Sequence, residues 1–219
     1  MHPRRDLYPG YDVLDKRDGP SWNAKTRDVL AERLGIGPET HRFLDDAEWT
    51  TLKAVCDRVV PQPADRADPI PVAALIDHKL ATGEHDGYRH ADLPDQGEAW
   101  RRGLAALDAE ARAAYGAGFH ELGAWARDEL LKAAEAGKLA HLAWGDMPPA
   151  KFFSERVLAD AVKAYYAHPT AWSEIGFGGP ASPRGYVRMD FDRRDPWEAA
   201  EAESGREAEA FIENRRIGR

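Results

Sequence analysis

Three histidines, His78, His85 and His90, stand close together with Asp77, Glu84 and Asp86. Imidazoles and carboxylates are the ligands of zinc and related cations, so a metal site is the first chemistry to test. The spacing argues against it. No pair forms the HExxH pattern that puts two imidazoles on one helix face, and His85 and His90 flank a Gly87-Tyr88 turn. The polar run 84–92 reads as a solvated loop, and no metal ligand is assigned. An independent helical metal-binding protein, or an enzyme working from the His85/His90 loop, is kept as the alternative reading.

Covalent catalysis finds no better support. Ser154, Ser173, Ser182 and Ser204 lie outside any GxSxG turn, and none of the acidic residues stands out as a catalytic pair. No catalytic residue is assigned. The single cysteine, Cys56, sits in the apolar row Trp49, Leu52, Val55, Val59 and is expected to be buried as a small hydrophobe. One cysteine also excludes an intrachain disulfide, a CxxC redox pair, a CxxCH haem attachment and a cysteine-ligated cluster. Any metal centre for electron transfer would have to sit on another chain. His120 and His141 fall near helix ends, and His168 before Pro169 is expected to cap the last carbonyls of the preceding helix.

Residues 176–185 are rich in glycine, which invites a phosphate-cradle reading. No Gly-Lys-Ser/Thr follows, no strand precedes, and Pro180 and Pro183 remove two N–H donors. No cofactor is assigned to this chain. The same stretch has a different character: Trp172, Ile175, Phe177, Tyr186 and Trp197 supply apolar area, Pro180 and Pro183 stiffen the backbone, and Arg184 and Arg188 add charge. Trp, Tyr and Arg concentrate binding energy at protein interfaces. Trp172, Ile175, Phe177, Pro180, Pro183, Arg184, Tyr186 and Arg188 are therefore read as a partner interface. The competing expectation is that these aromatics pack on the chain's own helices.

The elements that must carry these residues are helical. Residues 1–20, with Pro3, Pro9, Gly10, Gly19 and Pro20, read as an extended arm, ordered only where something holds it. Ser21 is the expected N-cap of a helix to about Leu34. Asp45 and Glu48 are spaced as a capping box for a helix over Ala47–Val60, which Pro61 ends. Further helices are expected from Pro71 to Gly83, from Pro94 or Asp95 through Trp100, Leu104, Leu107, Ala111 and Tyr115, over Phe119–Ala136, and from Pro148-Pro149 through Phe152, Phe153, Val157, Leu158, Val162, Tyr165 and Tyr166. From Pro169 the period stops, and 169–198 reads as a long irregular loop. Residues 199–219 are a charged tail, a solvated helix or disordered. With no strand alternation of useful length, the fold class is all-α: a multi-helix bundle of five to six helices, one domain over 21–198.

The whole chain agrees. Its 219 residues can bury a core, and 43% are apolar. The mean hydropathy of −0.61 points to polar appendages on a folded body. A net charge of −8 disfavours a phosphate-backbone binder, so no nucleic-acid partner is expected. No apolar run approaches the roughly 20 residues of a membrane span. Arg4-Arg5 lacks the apolar run of an export signal, so a cytoplasmic location is expected, or a periplasmic one if a partner carries the signal.

Two stretches carry a resemblance. Residues 165–186, running Tyr165-Tyr166-Ala167-His168-Pro169 and on from Trp172-Ser173-Glu174-Ile175-Gly176-Phe177-Gly178-Gly179-Pro180 to Tyr186, resemble the C-terminal signature of the gluconate 2-dehydrogenase subunit 3 family. Residues 44–60, from Leu44-Asp45-Asp46-Ala47-Glu48-Trp49 to the Val60-Pro61 step, resemble its opening helix, and the likeness spans about 44–198. It implies a non-catalytic small (gamma) subunit of a flavin-dependent sugar or polyol dehydrogenase. The expected partner is a large subunit of the glucose–methanol–choline oxidoreductase type that holds FAD, with a further electron-acceptor protein beyond it. Members of that family often carry a twin-arginine signal; this sequence has the arginines without the apolar run.

Overall fold

The computed structural model describes residues 6–217 apart from 85, 88, 89, 183, 184, 189, 191 and 192. In chain order its helices are α1 (Ala24–Leu34), α2 (Asp46–Val59), α3 (Val72–Thr82), α4 (Gln96–Tyr115), α5 (Ala124–Glu135), α6 (Pro149–Phe152), α7 (Ala159–Ala167), α8 (Pro169–Glu174) and α9 (Glu207–Asn214). Between α6 and α7 the backbone continues as a π-helix, Phe153–Leu158. Among the described residues the only extended pairing is an isolated bridge, Trp22 with Ser182. The expected all-α class is therefore what the structure shows. The chain forms two compact units, Ile36–Tyr165, and Met1–Gly35 together with Tyr166–Arg219.

In the unit Ile36–Tyr165, local sequence explains how α2 starts. The Asp45 carboxylate accepts from the Glu48 amide at 2.8 Å, and Glu48 accepts from the Asp45 amide at 3.0 Å. This reciprocal box satisfies two N–H groups that the helix cannot pair internally. Trp49, Leu52, Val55 and Cys56 then line the buried face. α2 packs on α3, α4 and α5. The long α4 buries Trp100, Leu104, Leu107 and Ala111 and ends at Gly116 with φ +75°, a left-handed stop that favours glycine. At Gly103 the Phe152 ring lies against the helix backbone, where a Cβ would come within 2.1 Å of it. Trp100 meets Phe152 edge-on at 5.5 Å, and Trp144 lies 5.7 Å from the same ring.

Three expectations change here. Phe119–Ala136 is not one helix: a 3-10 turn at Phe119–Glu121 precedes α5, which starts afresh at Ala124. Restarting resets the phase, and Trp125, in the first turn of α5, is 70% exposed. Tyr115 is half-exposed at the C-terminal end of α4. After the π-helix, Val162 and Tyr166 turn outward. The wider turn inserts a residue, and one residue rotates a helix face by about 100°.

Two buried carboxylates organise this unit. Asp77 on α3 accepts from the backbone N–H groups of Arg42, Phe43 and Leu44, at 2.5, 3.1 and 2.9 Å, and so fixes the turn that leads into α2. Asp160 on α7 accepts from Trp100 Nε1 at 2.9 Å, Gln96 Nε2 at 3.0 Å and Lys79 Nζ at 3.4 Å.

In the other unit the described residues near both ends of the chain, from 6 and up to 217, are folded together. A 3-10 turn, Val13–Lys16, is capped by the Asp12 carboxylate and packs on α8. Tyr11, Val13, Trp22, Leu30, Trp172, Ala199 and Ile217 share one apolar cluster. The N-terminal residues are held by the C-terminal ones. Leu7 O accepts from Ala202 N at 2.7 Å, Pro9 O from Asn214 Nδ2 at 3.0 Å, and Ser173 Oγ from Val13 N at 3.1 Å. Asn214 is fully buried and also brackets both backbone groups of Ala200. The cap of α1 is Asn23, which accepts from Thr26 N at 2.9 Å, rather than Ser21. The Ser21 carbonyl is spent on Ser182 N at 2.9 Å.

Candidate functional site

The histidine–carboxylate set has structural work. Asp77 is the clasp just described. Asp86 bonds Lys79 Nζ at 2.8 Å and lies 3.3 Å from both Lys163 Nζ and Arg156 Nη1. Burial alone would push its carboxyl up; the hydrogen bonds and charges of Lys79 and Lys163 outweigh that and hold it at about 2. His90 pairs with Glu155 at 3.2 Å, and His85 lies outside the described residues. Among the described residues no group of three or more His, Cys, Asp or Glu side chains is placed to hold a metal ion. Cys56 is buried, and burial pushes its thiol well above the usual range, which removes the reactive thiolate.

The aromatic stretch has more to offer. α8 opens it: Pro169 occupies the first turn, and His168 caps the helix by accepting from Thr170 N at 3.3 Å. That is the start of a new helix, where the sequence suggested the imidazole would cap the end of the previous one. Trp172 points into the apolar cluster. It is 5% exposed, and its Nε1 donates to Tyr166 O at 2.5 Å. Phe177 stands edge-on to Trp172 at 5.7 Å, half in solvent. The expected interface set thus divides. Trp172 is a core residue; Ile175, Phe177, Tyr186 and Arg188 are exposed; Pro180 is half-buried; Pro183 and Arg184 lie outside the described residues.

Of this set, Phe177, Tyr186 and Arg188 line a cleft of about 360 Å³. Phe177, Gly176, Gly178 and Gly179 make one wall, Tyr186, Arg188, Arg194, Trp197, Glu198 and Glu201 the rest, and Tyr8 and Lys16 reach it from the N-terminal segment. The glycines permit close approach. A Cβ on Gly176 would lie 2.4 Å from the Tyr8 ring, and one on Gly178 would lie 2.6 Å from Lys16 Nζ. Burial first, then the Glu201 carboxylate, push the Tyr8 phenol up. Arg188 pairs with Glu198 at 3.0 Å, and Arg194 with Glu213. Tyr8 and Lys16 were not legible as site residues, because about 160 to 190 residues separate them from the rest of the cleft and leave no spacing signal; Arg194, Glu198 and Glu201 lie within about 25 residues of Phe177 but in a stretch with no regular period.

The family model for gluconate 2-dehydrogenase subunit 3 matches residues 46–179. The chain belongs to this family. No curated protein and no solved structure matches the chain. The family-model match begins with α2 and ends at Gly179, shorter than the resemblance read over 44–198. Membership makes the chain a subunit of a multi-subunit dehydrogenase. The cleft stands at the edge of the subunit 3 region: Gly176–Gly179 belong to it, whereas Tyr8, Lys16 and the wall from Tyr186 to Glu201 come from segments beyond the match.

Proposed function

We propose that this chain is a non-catalytic accessory subunit that binds and stabilises the FAD-containing large subunit, of the glucose–methanol–choline oxidoreductase type, in a sugar or polyol dehydrogenase. The observation that carries the reading is the family match together with the exposed row Ile175, Phe177, Tyr186 and Val187 beside its end. Val187 is 82% and Tyr186 67% exposed, more than a soluble surface ordinarily leaves of such side chains in one stretch. Asp77, Asp86 and His90 are engaged in a backbone clasp and ion pairs, which favours a docking role over metal chemistry on this chain.

The test is co-expression with a large-subunit flavoprotein of that type from the same genome. The expected result is one complex on size exclusion, carrying the flavin absorbance and dye-linked sugar oxidation, with the purified chain alone showing neither. A flavoprotein that folds, binds FAD and turns over equally well without this chain, and never co-elutes with it, overturns the reading.

A further inference from the structure

We propose that the cleft bounded by Tyr8, Phe177, Tyr186 and Trp197 is a socket for one aromatic side chain with a hydrogen-bond donor at its tip, a tyrosine or tryptophan of the partner subunit. This rests on the accessory-subunit reading. The shape comes first. A cavity of about 360 Å³ is the size of a small-ligand pocket and admits a single ring with its flanking backbone. Aromatic side chains on its walls offer edges and faces against which a ring packs in offset or edge-on geometry.

Charge then narrows the occupant. Arg188 is tied to Glu198 at 3.0 Å. Arg194 is bonded to Glu213 and to the Glu198 carbonyl. Lys16, 5% exposed, donates from its ammonium to Trp197 O at 3.4 Å. A charged occupant would have to compete with ion pairs already made inside the walls. An aliphatic one would cover carboxylates and give them no donor, which costs more than a hydrogen bond returns. A neutral ring with an O–H or N–H tip satisfies both constraints: the ring meets Phe177 and Tyr186, and the tip donates to Glu198 or Glu201. Exposed Ile175 and Val187 supply apolar neighbours that would exclude water around such an anchor.

The probes are N-acetyl-L-tyrosinamide, N-acetyl-L-tryptophanamide, N-acetyl-L-phenylalaninamide and N-acetyl-L-leucinamide, titrated into the full chain. The readout is the backbone amide resonances of Gly176, Gly178 and Gly179. The tyrosine and tryptophan amides are expected to give saturable shifts, the phenylalanine amide to bind about fivefold more weakly for want of a donor, and the leucine amide to give none. Glu201→Trp, a substitution at an exposed position that fills the mouth, abolishes the shifts; Tyr186→Ala weakens them. Thermal melts confirm that both variants fold. No saturable shift with either donor-bearing amide, or equal shifts from the leucine amide, overturns the socket. Co-purification separates the two levels. If Glu201→Trp captures the flavoprotein as well as the unaltered chain does, the socket is wrong and the subunit reading stands. If the unaltered chain binds the amides yet captures no flavoprotein, the subunit reading is wrong.

Discussion

The indole of Trp100 donates to the carboxylate of Asp160 at 2.9 Å, and neither side chain reaches solvent. Trp100 sits on α4 and Asp160 on α7, so the bond joins two helices through the middle of the unit. Gln96 and Lys79 converge on the same carboxylate, with Arg156 Nη1 at 3.7 Å. One anion on α7 thus satisfies donors from α3, α4 and the π-helix. Removing it strands a buried cation and an indole N–H together. Asp160→Ala is expected to cost about 3–5 kcal/mol in chemical denaturation, as breaking a buried pair does. Trp100→Phe, which keeps a ring and loses the donor, should cost less. An Asp160→Ala chain as stable as its parent would show that this network contributes nothing.

Gly103 is where helix propensity and packing oppose each other. Alanine in a helix interior is favoured over glycine by about 1 kcal/mol. The added Cβ would stand 2.1 Å from the Phe152 ring, which is fully buried and flanked by Trp100 and Trp144. Packing wins. Gly103→Ala should destabilise by about 1–3 kcal/mol, the usual range for overpacking. Adding Phe152→Leu should recover part of the loss, so the double-mutant cycle reads a favourable coupling between the two positions.

Acid sensitivity follows from Asp86. Its folded pKa of about 2 lies below the ordinary 3.8, because the lysines override burial. The unfolded chain therefore takes up the proton first as pH falls. The stabilisation is complete above about pH 4 and drains away between about pH 4 and pH 2. Denaturation midpoints of the parent and Asp86→Asn should differ most near neutrality and converge in that window. A constant gap down to about pH 2 would assign the effect of the variant to something other than this charge.

How much of this was legible depends on distance along the chain. The capping box is local: Asp45 and Glu48 are three residues apart, and the row Trp49, Leu52, Val55 follows from one helical period. What depends on remote partners was not. The Asp77 clasp spans 33 to 35 residues and the Lys79–Asp160 bond 81, so no spacing rule announces them. Ser21 was a sound cap by type, yet Ser182 claims its carbonyl from 161 positions away, and Asn23 takes the cap. The π-helix hid for another reason. Phe153–Leu158 has an ordinary helical composition, and its wide turn shows only in the rotated exposure of Val162 and Tyr166.

Trp49 joins both levels. It lies in the first turn of α2, is 4% exposed, and stacks on His41 at 4.9 Å with Lys53 Nζ 5.3 Å above the ring. Trp49→Ala should cost about 3–5 kcal/mol, as truncating a buried Trp does. An unchanged melting curve would contradict its place in the core.

Trp172 and Tyr186 belong to one aromatic stretch and are expected to fail in opposite ways. Trp172 is 5% exposed, with its indole bonded to Tyr166 O and its ring against Phe177 and the Gly179 backbone. Tyr186 is 67% exposed, and its hydroxyl accepts a long 3.3 Å bond from Ala181 N. Trp172→Ala should therefore lower the stability of the isolated chain by about 3–5 kcal/mol. Tyr186→Ala should leave stability within about 0.5 kcal/mol, as surface changes do, and weaken capture of the large subunit by about 1–3 kcal/mol, as interface truncations do. Ile175→Ala and Phe177→Ala test the same face, with a larger stability cost expected for Phe177 than for Ile175, because its ring also packs on Trp172. Melting temperature and complex affinity, measured on every variant, separate a residue that builds the unit from one that is offered to a partner. Equal affinity for all of the exposed variants would remove this face from the interface.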